Sequence, residues 1–225
     1  METAAEAVAR GFHLGNHTYS HSACRALETP FDVIRKEIAR TEDLLDRVYS
    51  LAGVKRPARW FRFPHLDRGM GAVFIEPENV QPEHLNMIDK ALGGSLNTRA
   101  QDLTPEIIAH KNRIQDYLKQ SGFSPAPPRG DYPDWFCQSG MMEAQDWLAT
   151  YSAADWMLLN RHRGKWDHKT VDDLKVKFDQ DVMEATPACH ILLCHDDPEI
   201  YDVTTALIDH WASREMVFLD PVRDV

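Results

Sequence analysis

Nowhere in the 225 residues does an apolar run approach the roughly 20 that cross a bilayer, which removes a membrane-spanning helix and any expected membrane partner. Also missing is a basic-then-apolar leader, since the opening METAAEAVAR carries acids where an export signal carries bases. As written, the chain reads as cytoplasmic. An excess of positive charge is absent too: 35 acidic residues against 25 basic ones leave a formal net charge of −10. That balance opposes a phosphate backbone and excludes nucleic acid as a partner, while a neutral or cationic sugar polymer is not repelled. The four cysteines, Cys24, Cys137, Cys189 and Cys194, show no CxxC or zinc-ribbon spacing and read as mostly buried thiols. With no repeat and no flexible linker, one domain over residues 1–225 is the simplest division.

What is present alternates between helical and strand-like patterns. Residues 2–10 read as a helix stopped by Gly11, and 12–15 as a short strand. Thr29 and Pro30 open a helix whose stripe of Phe31, Ile34, Ile38, Leu45, Val48 and Leu51 runs to Gly53. ARWFRFP suits a strand ending at Pro64, and 66–103 is an irregular excursion with one short helix near 83–91. Thr104 and Pro105 open another helix bearing Ile107, Ile108, Ile114 and Leu118, followed by a strand at about 123–127. The spacing of Trp147, Tyr151, Ala154 and Leu158 predicts helix within 138–163, and Thr170 opens a helix bearing Leu174, Phe178 and Val182. HILLC is a buried strand, 201–213 a last helix and MVFLD a last strand. Such alternation indicates an α/β fold with parallel strands, either barrel or open sheet.

Three polar stretches each follow a predicted strand: HTYSH at 17–21, RFPH at 62–65 and LCHDD at 193–197. In parallel α/β folds the carboxyl ends of strands share one face, so a single composite site is expected. His17 and His21, at i and i+4, would lie on one side of a helical turn and reach one divalent metal at roughly 2.0 to 2.1 Å. They also read as surface histidines, or as capping groups for the Gly15-Asn16 turn. Arg62 either pairs with a carboxylate at the strand end or extends along an edge strand to water. His195 suits a general acid or base, and equally a histidine satisfied by Asp196.

Taken together, EAVARGFHLGNHTYSH, FRFP, the Asp-x-x-Asp-Trp of Asp131 to Trp135 and the Leu-x-His of Leu193 to His195 resemble the polysaccharide deacetylases. That family contains the chitin and peptidoglycan N-acetylglucosamine deacetylases. The resemblance implies a distorted (β/α) barrel spanning the chain, and a hydrolase removing N-acetyl groups from an amino-sugar polymer or oligosaccharide. It implies His17 and His21 as ligands of a divalent metal, zinc above all, with Arg62 orienting the catalytic base. Asp131 and Trp135 would tune the acid and wall the groove, in preference to Asp146-Trp147 and Asp155-Trp156, which sit in predicted helix. Leu193 would shape the acetyl pocket and His195 would be the general acid. His65 stands where the family has tyrosine or phenylalanine, beside the substrate. Family members carry an Asp-Asp pair, base and third ligand, on a strand ahead of the histidines, and no such pair precedes His17. The barrel is therefore expected to be incomplete at the N-terminus, its open side closed by a homo-oligomer. A catalytically inactive carbohydrate-binding or scaffolding protein is the alternative.

Overall fold

The computed structural model describes residues 1–25, 28–71, 73–74, 80–94, 96–97, 103–126, 131–184 and 188–222. The chain forms two compact units that interleave in sequence: Met1–Asn79, Ser95–Pro128 and Gln138–Leu148 make the first, and Val80–Gly94, Arg129–Cys137 and Ala149–Val225 the second.

Helix formation in the first unit follows the apolar spacing closely. Helix α1, Glu2–Ala9, buries Ala5 and Val8 against Val48 and Tyr49 of helix α2, Phe31–Ala52. Pro30 is the N-cap of α2, while the Thr29 hydroxyl donates to the Ala23 carbonyl instead of capping. The helix stops where Gly53 takes a left-handed conformation, φ 65°, that costs glycine little. Ile34 and Ile38 of α2 enter a core with Phe61, Phe63, Phe123, and Ile114 and Leu118 of a later helix, Pro105–Gln120. That later helix is capped by the Thr104 side chain, which accepts from the Ile107 amide. Leu51 and Ile108, expected on the inward stripes, lie exposed.

The strands of this unit are shorter than their sequence patterns. Asn16 forms a single parallel bridge with Phe61, and Arg59 one with Phe123. Strand β1, Val73–Phe74, pairs in parallel with β2, Leu96–Asn97.

In the second unit, helix α3, Pro82–Ala91, falls where a short helix was expected. The helix of the first unit at Pro105–Gln120 is α4, and Asp134–Gln138 is the short α5. Strand β3, Tyr151–Ser152, pairs in parallel with β4, Leu192–Leu193. Helix α6, Val171–Phe178, begins at a reciprocal cap between Thr170 and Asp173, and α7 occupies Tyr201–Ser213. Their inward faces meet in a core of Tyr151, Leu174, Phe178, Val182, Leu207 and Trp211.

Two expectations fail here. Residues 138–163 are not a helix: the amides of Tyr151 and Ala153 donate to Ile191 and Leu193, and Ala154 turns left-handed at φ 57°. Pairing with a distant strand overrides the local helical spacing. MVFLD forms no strand either, and its Val217 and Phe218 are exposed. Among the described residues no helix is long and apolar enough to cross a membrane.

Candidate functional site

Asn16 positions everything around His17. It is buried and fully engaged: its side-chain amide donates to the Ile38 carbonyl and to Glu42 Oε1, both at 2.9 Å, and its Oδ1 accepts from the Thr18 amide at 3.0 Å. Its backbone donates to the Trp60 carbonyl at 2.7 Å and accepts from the Arg62 amide at 3.0 Å. Glu42 is held in turn by Arg56, whose Nη1 and Nη2 lie 2.7 and 3.1 Å from its oxygens. Gly15 precedes this junction because a Cβ there would stand 3.3 Å from the Trp60 carbonyl oxygen. Further contacts tie the loop to α2. Ser20 donates through its amide and hydroxyl to Glu37, which holds that carboxyl below its usual range, and the Arg40 guanidinium sits over the Tyr19 ring.

On this support His17 places its Nδ1 2.8 Å from the Arg62 carbonyl. A carbonyl oxygen only accepts, so Nδ1 carries the proton and Nε2 the lone pair, the tautomer suited to an Nε2-bound metal. His21 reaches His17 by a different route from the one its spacing suggests. The segment is a loop rather than a helical turn, with Thr18 at φ 62° and His21 at φ 56°, yet the two rings meet edge to face with centres 4.8 Å apart. His65 joins them, its ring centre 4.7 Å from that of His21.

The His65 loop is itself firmly built. His65 and Leu66 take left-handed conformations after Pro64, and Asp67 behind them accepts from the Cys24 amide at 2.6 Å and the Gly69 amide at 3.0 Å. Burial raises the Asp67 carboxyl above its ordinary range and pushes the Cys24 thiol up to about 12. Arg68 is buried against Asp146, Nε to Oδ2 at 3.0 Å, and Gln115 donates to the same carboxylate at 2.7 Å. Arg62 donates from Nε to the Trp147 carbonyl at 2.9 Å, and Trp147 stacks on Trp60 at 4.9 Å. Asp146-Trp147 is thus a structural pair.

In the second unit, the partner of His195 is Asp155. The carboxylate, with no exposed surface, lies 2.7 Å from His195 Nδ1 and accepts from the His195 amide at 2.6 Å and the Trp156 amide at 3.1 Å. Thr204 donates to the His195 carbonyl at 2.7 Å, so ring and backbone are both fixed. Asp131, expected in that role, accepts through its carbonyl from the Cys189 amide, and Trp135 is buried in α5. Asp196 is exposed. Leu193 lies half-buried in β4. The Asp-Trp dipeptide at 155–156 was the available signal for Asp155, masked by the helical spacing around it. Trp156 packs edge-on against Trp166 at 5.1 Å and stays partly exposed.

Among the described residues, no three His, Cys, Asp or Glu side chains converge as a ready metal cage. The chemistry of the donors nonetheless suits a divalent ion at His17 and His21, two adjacent imidazoles with one tautomer already set. Residues 1–73 match the family model described as polysaccharide deacetylase. The matched stretch contains His17, His21, Arg62 and His65. No curated protein and no solved structure matches the chain.

Proposed function

We propose that this chain, whose residues 1–73 match the polysaccharide deacetylase family model, is a metal-dependent hydrolase that removes N-acetyl groups from an amino-sugar polymer or oligosaccharide. The observation that carries the reading is the His17 ring, locked by the Arg62 carbonyl with His21 against it, inside the matched segment. His17 and His21 would hold the ion, zinc in the first instance. When bound, it supplies a Lewis acid for the acetamide carbonyl and acidifies water.

The remaining steps belong to the chain's own groups. Arg62 sets the His17 tautomer through its carbonyl and is itself anchored on Trp147. The resemblance makes His195 the general acid, and Asp155, 2.7 Å from its Nδ1, would be its positioning residue. Leu193 shapes the acetyl pocket, and Trp156 replaces Trp135 as the aromatic wall. Parallel pairing of both small sheets is compatible with a distorted (β/α) barrel, which we propose as the architecture.

Acetate release from N-acetylated chitooligosaccharides, followed with and without added zinc, tests the function. Zinc-dependent release is expected, falling by about 10²-fold or more in His195→Ala and in Asp155→Asn. A specific observation favours one other reading, a catalytically inactive carbohydrate-binding protein: among the described residues no three metal-ligating side chains converge. Oligosaccharide binding without acetate release at any metal concentration would select it.

A further inference from the structure

We infer that the loop over residues 159–169 of the second unit is a binding subsite for an anionic amino-sugar polymer, with Trp166 stacking on a sugar ring and Arg161, Arg163 and Lys165 meeting its acidic groups. The inference rests on the reading of the chain as a carbohydrate-active protein, and names the charge class of its substrate. Trp166 is the one exposed tryptophan of six, with 45% of its surface open to water. Indole is large and apolar, so a folded chain ordinarily covers it. A ring left open and yet held in place suits a ligand with an apolar face of its own. A pyranose has one, a patch of C–H groups between its hydroxyls.

Trp166 is anchored. Its ring meets that of Trp156 edge to face, centres 5.1 Å apart, and Trp156 in turn packs on the core that contains Tyr151 and Phe178. His162 stands edge-on to Trp156 at 5.4 Å, and Arg161 donates from Nε to His162 Nε2 at 3.3 Å. Turns shape the backbone: the amides of His162 and Arg163 donate to the carbonyl of buried Leu159 at 2.8 and 2.9 Å, and the Lys165 amide donates to that of His162 at 3.0 Å. The Asn160 amide donates to Glu199 at 3.0 Å, which ties the loop to the segment following His195. Trp156 also follows directly on Asp155, the carboxylate that holds His195, so the subsite adjoins that pair along the chain.

Charge selects the ligand. Residues 161–169 carry four fixed cations, Arg161, Arg163, Lys165 and Lys169, against one acid, Asp167, in a chain whose formal net charge is −10. All four are exposed, and none pairs with a carboxylate among the described residues. Such a local excess attracts carboxylate or sulfate groups over about a Debye length, roughly 8 to 10 Å at moderate salt. Aromatic and basic side chains together also suit single-stranded nucleic acid. The net charge of the whole chain, however, opposes a polyphosphate far more than a polymer charged only at every second sugar.

Titration calorimetry of the full chain with two oligosaccharides of equal length tests the assignment without requiring turnover. One is hyaluronan, in which N-acetylglucosamine alternates with a uronic acid, and the other is neutral N-acetylated chitin oligosaccharide. At low salt wild type is expected to bind hyaluronan about 10-fold or more tighter than the neutral saccharide, an advantage lost at about 0.5 M salt. The triple variant Arg161→Gln, Arg163→Gln, Lys165→Gln is expected to lose that advantage while binding the neutral saccharide like wild type, which shows that it folds. Trp166→Ala is expected to weaken both by about 10-fold. Equal wild-type affinity for the two saccharides, or a triple variant that binds hyaluronan undiminished, overturns the inference and leaves the proposed hydrolase standing. Tighter binding of a single-stranded oligonucleotide of the same charge than of hyaluronan overturns it in favour of nucleic acid. If wild type binds neither saccharide, the carbohydrate reading falls as well.

Discussion

Asn16 does more for the candidate site than either histidine beside it, because its one short side chain satisfies two carbonyl or carboxylate acceptors on α2 and one amide in the loop. Removing it leaves the buried Thr18 amide without its acceptor and takes one donor each from the Ile38 carbonyl and Glu42. Asn16→Ala is expected to lower stability by about 2 to 4 kcal/mol in urea denaturation, with zinc affinity falling by about 10-fold or more. A neutral effect on both would show that the loop is held elsewhere. Much at this scale was legible in the sequence: GNHTYSH and RFPH pointed to His17, His21, Arg62 and His65, and the structure brings these residues into contact. Asp155 was not. Its role depends on a strand pairing forty residues away, and its Asp-Trp dipeptide is shared with Asp146-Trp147.

Elements built from local spacing came through well, and those built from distant pairing did not. Helices α2 and α4 bury most of the stripes their sequences display, Leu51 and Ile108 excepted, and α7 falls where its sequence places it, since a helix closes its hydrogen bonds within one segment. Residues 138–163 carry the same spacing, yet their amides go to Phe61, Ile191 and Leu193, partners no local window contains. The β3–β4 junction also sets a pH response. The Thr150 hydroxyl accepts from the Ile191 amide at 2.8 Å and lies within hydrogen-bond distance of His190 Nδ1, at 3.2 Å. Burial holds this imidazole below its ordinary value of 6.5. A lowered folded-state value means that the unfolded chain binds the proton first, so stability is intact above about 6.5 and is lost as pH falls from there through the folded value. Thermal unfolding of metal-free protein at pH 7.5 and 5.5 is expected to show this loss, reduced in His190→Gln. An identical drop in the variant would assign the effect to other groups.

For the whole molecule, the division into two units places the histidine cluster in one and the His195–Asp155 pair in the other, each organised by its own core. The family match covers only the first of these groups. A metal held by native loops but not by the unfolded chain stabilises the fold by mass action, so metal affinity and unfolding report on the same site. The most direct test is zinc titration calorimetry on the purified chain beside its His17→Ala, His21→Ala double variant. One zinc per chain, bound by wild type and lost in the double variant, is the predicted result. Absence of binding in wild type, or equal binding in both proteins, would contradict the account.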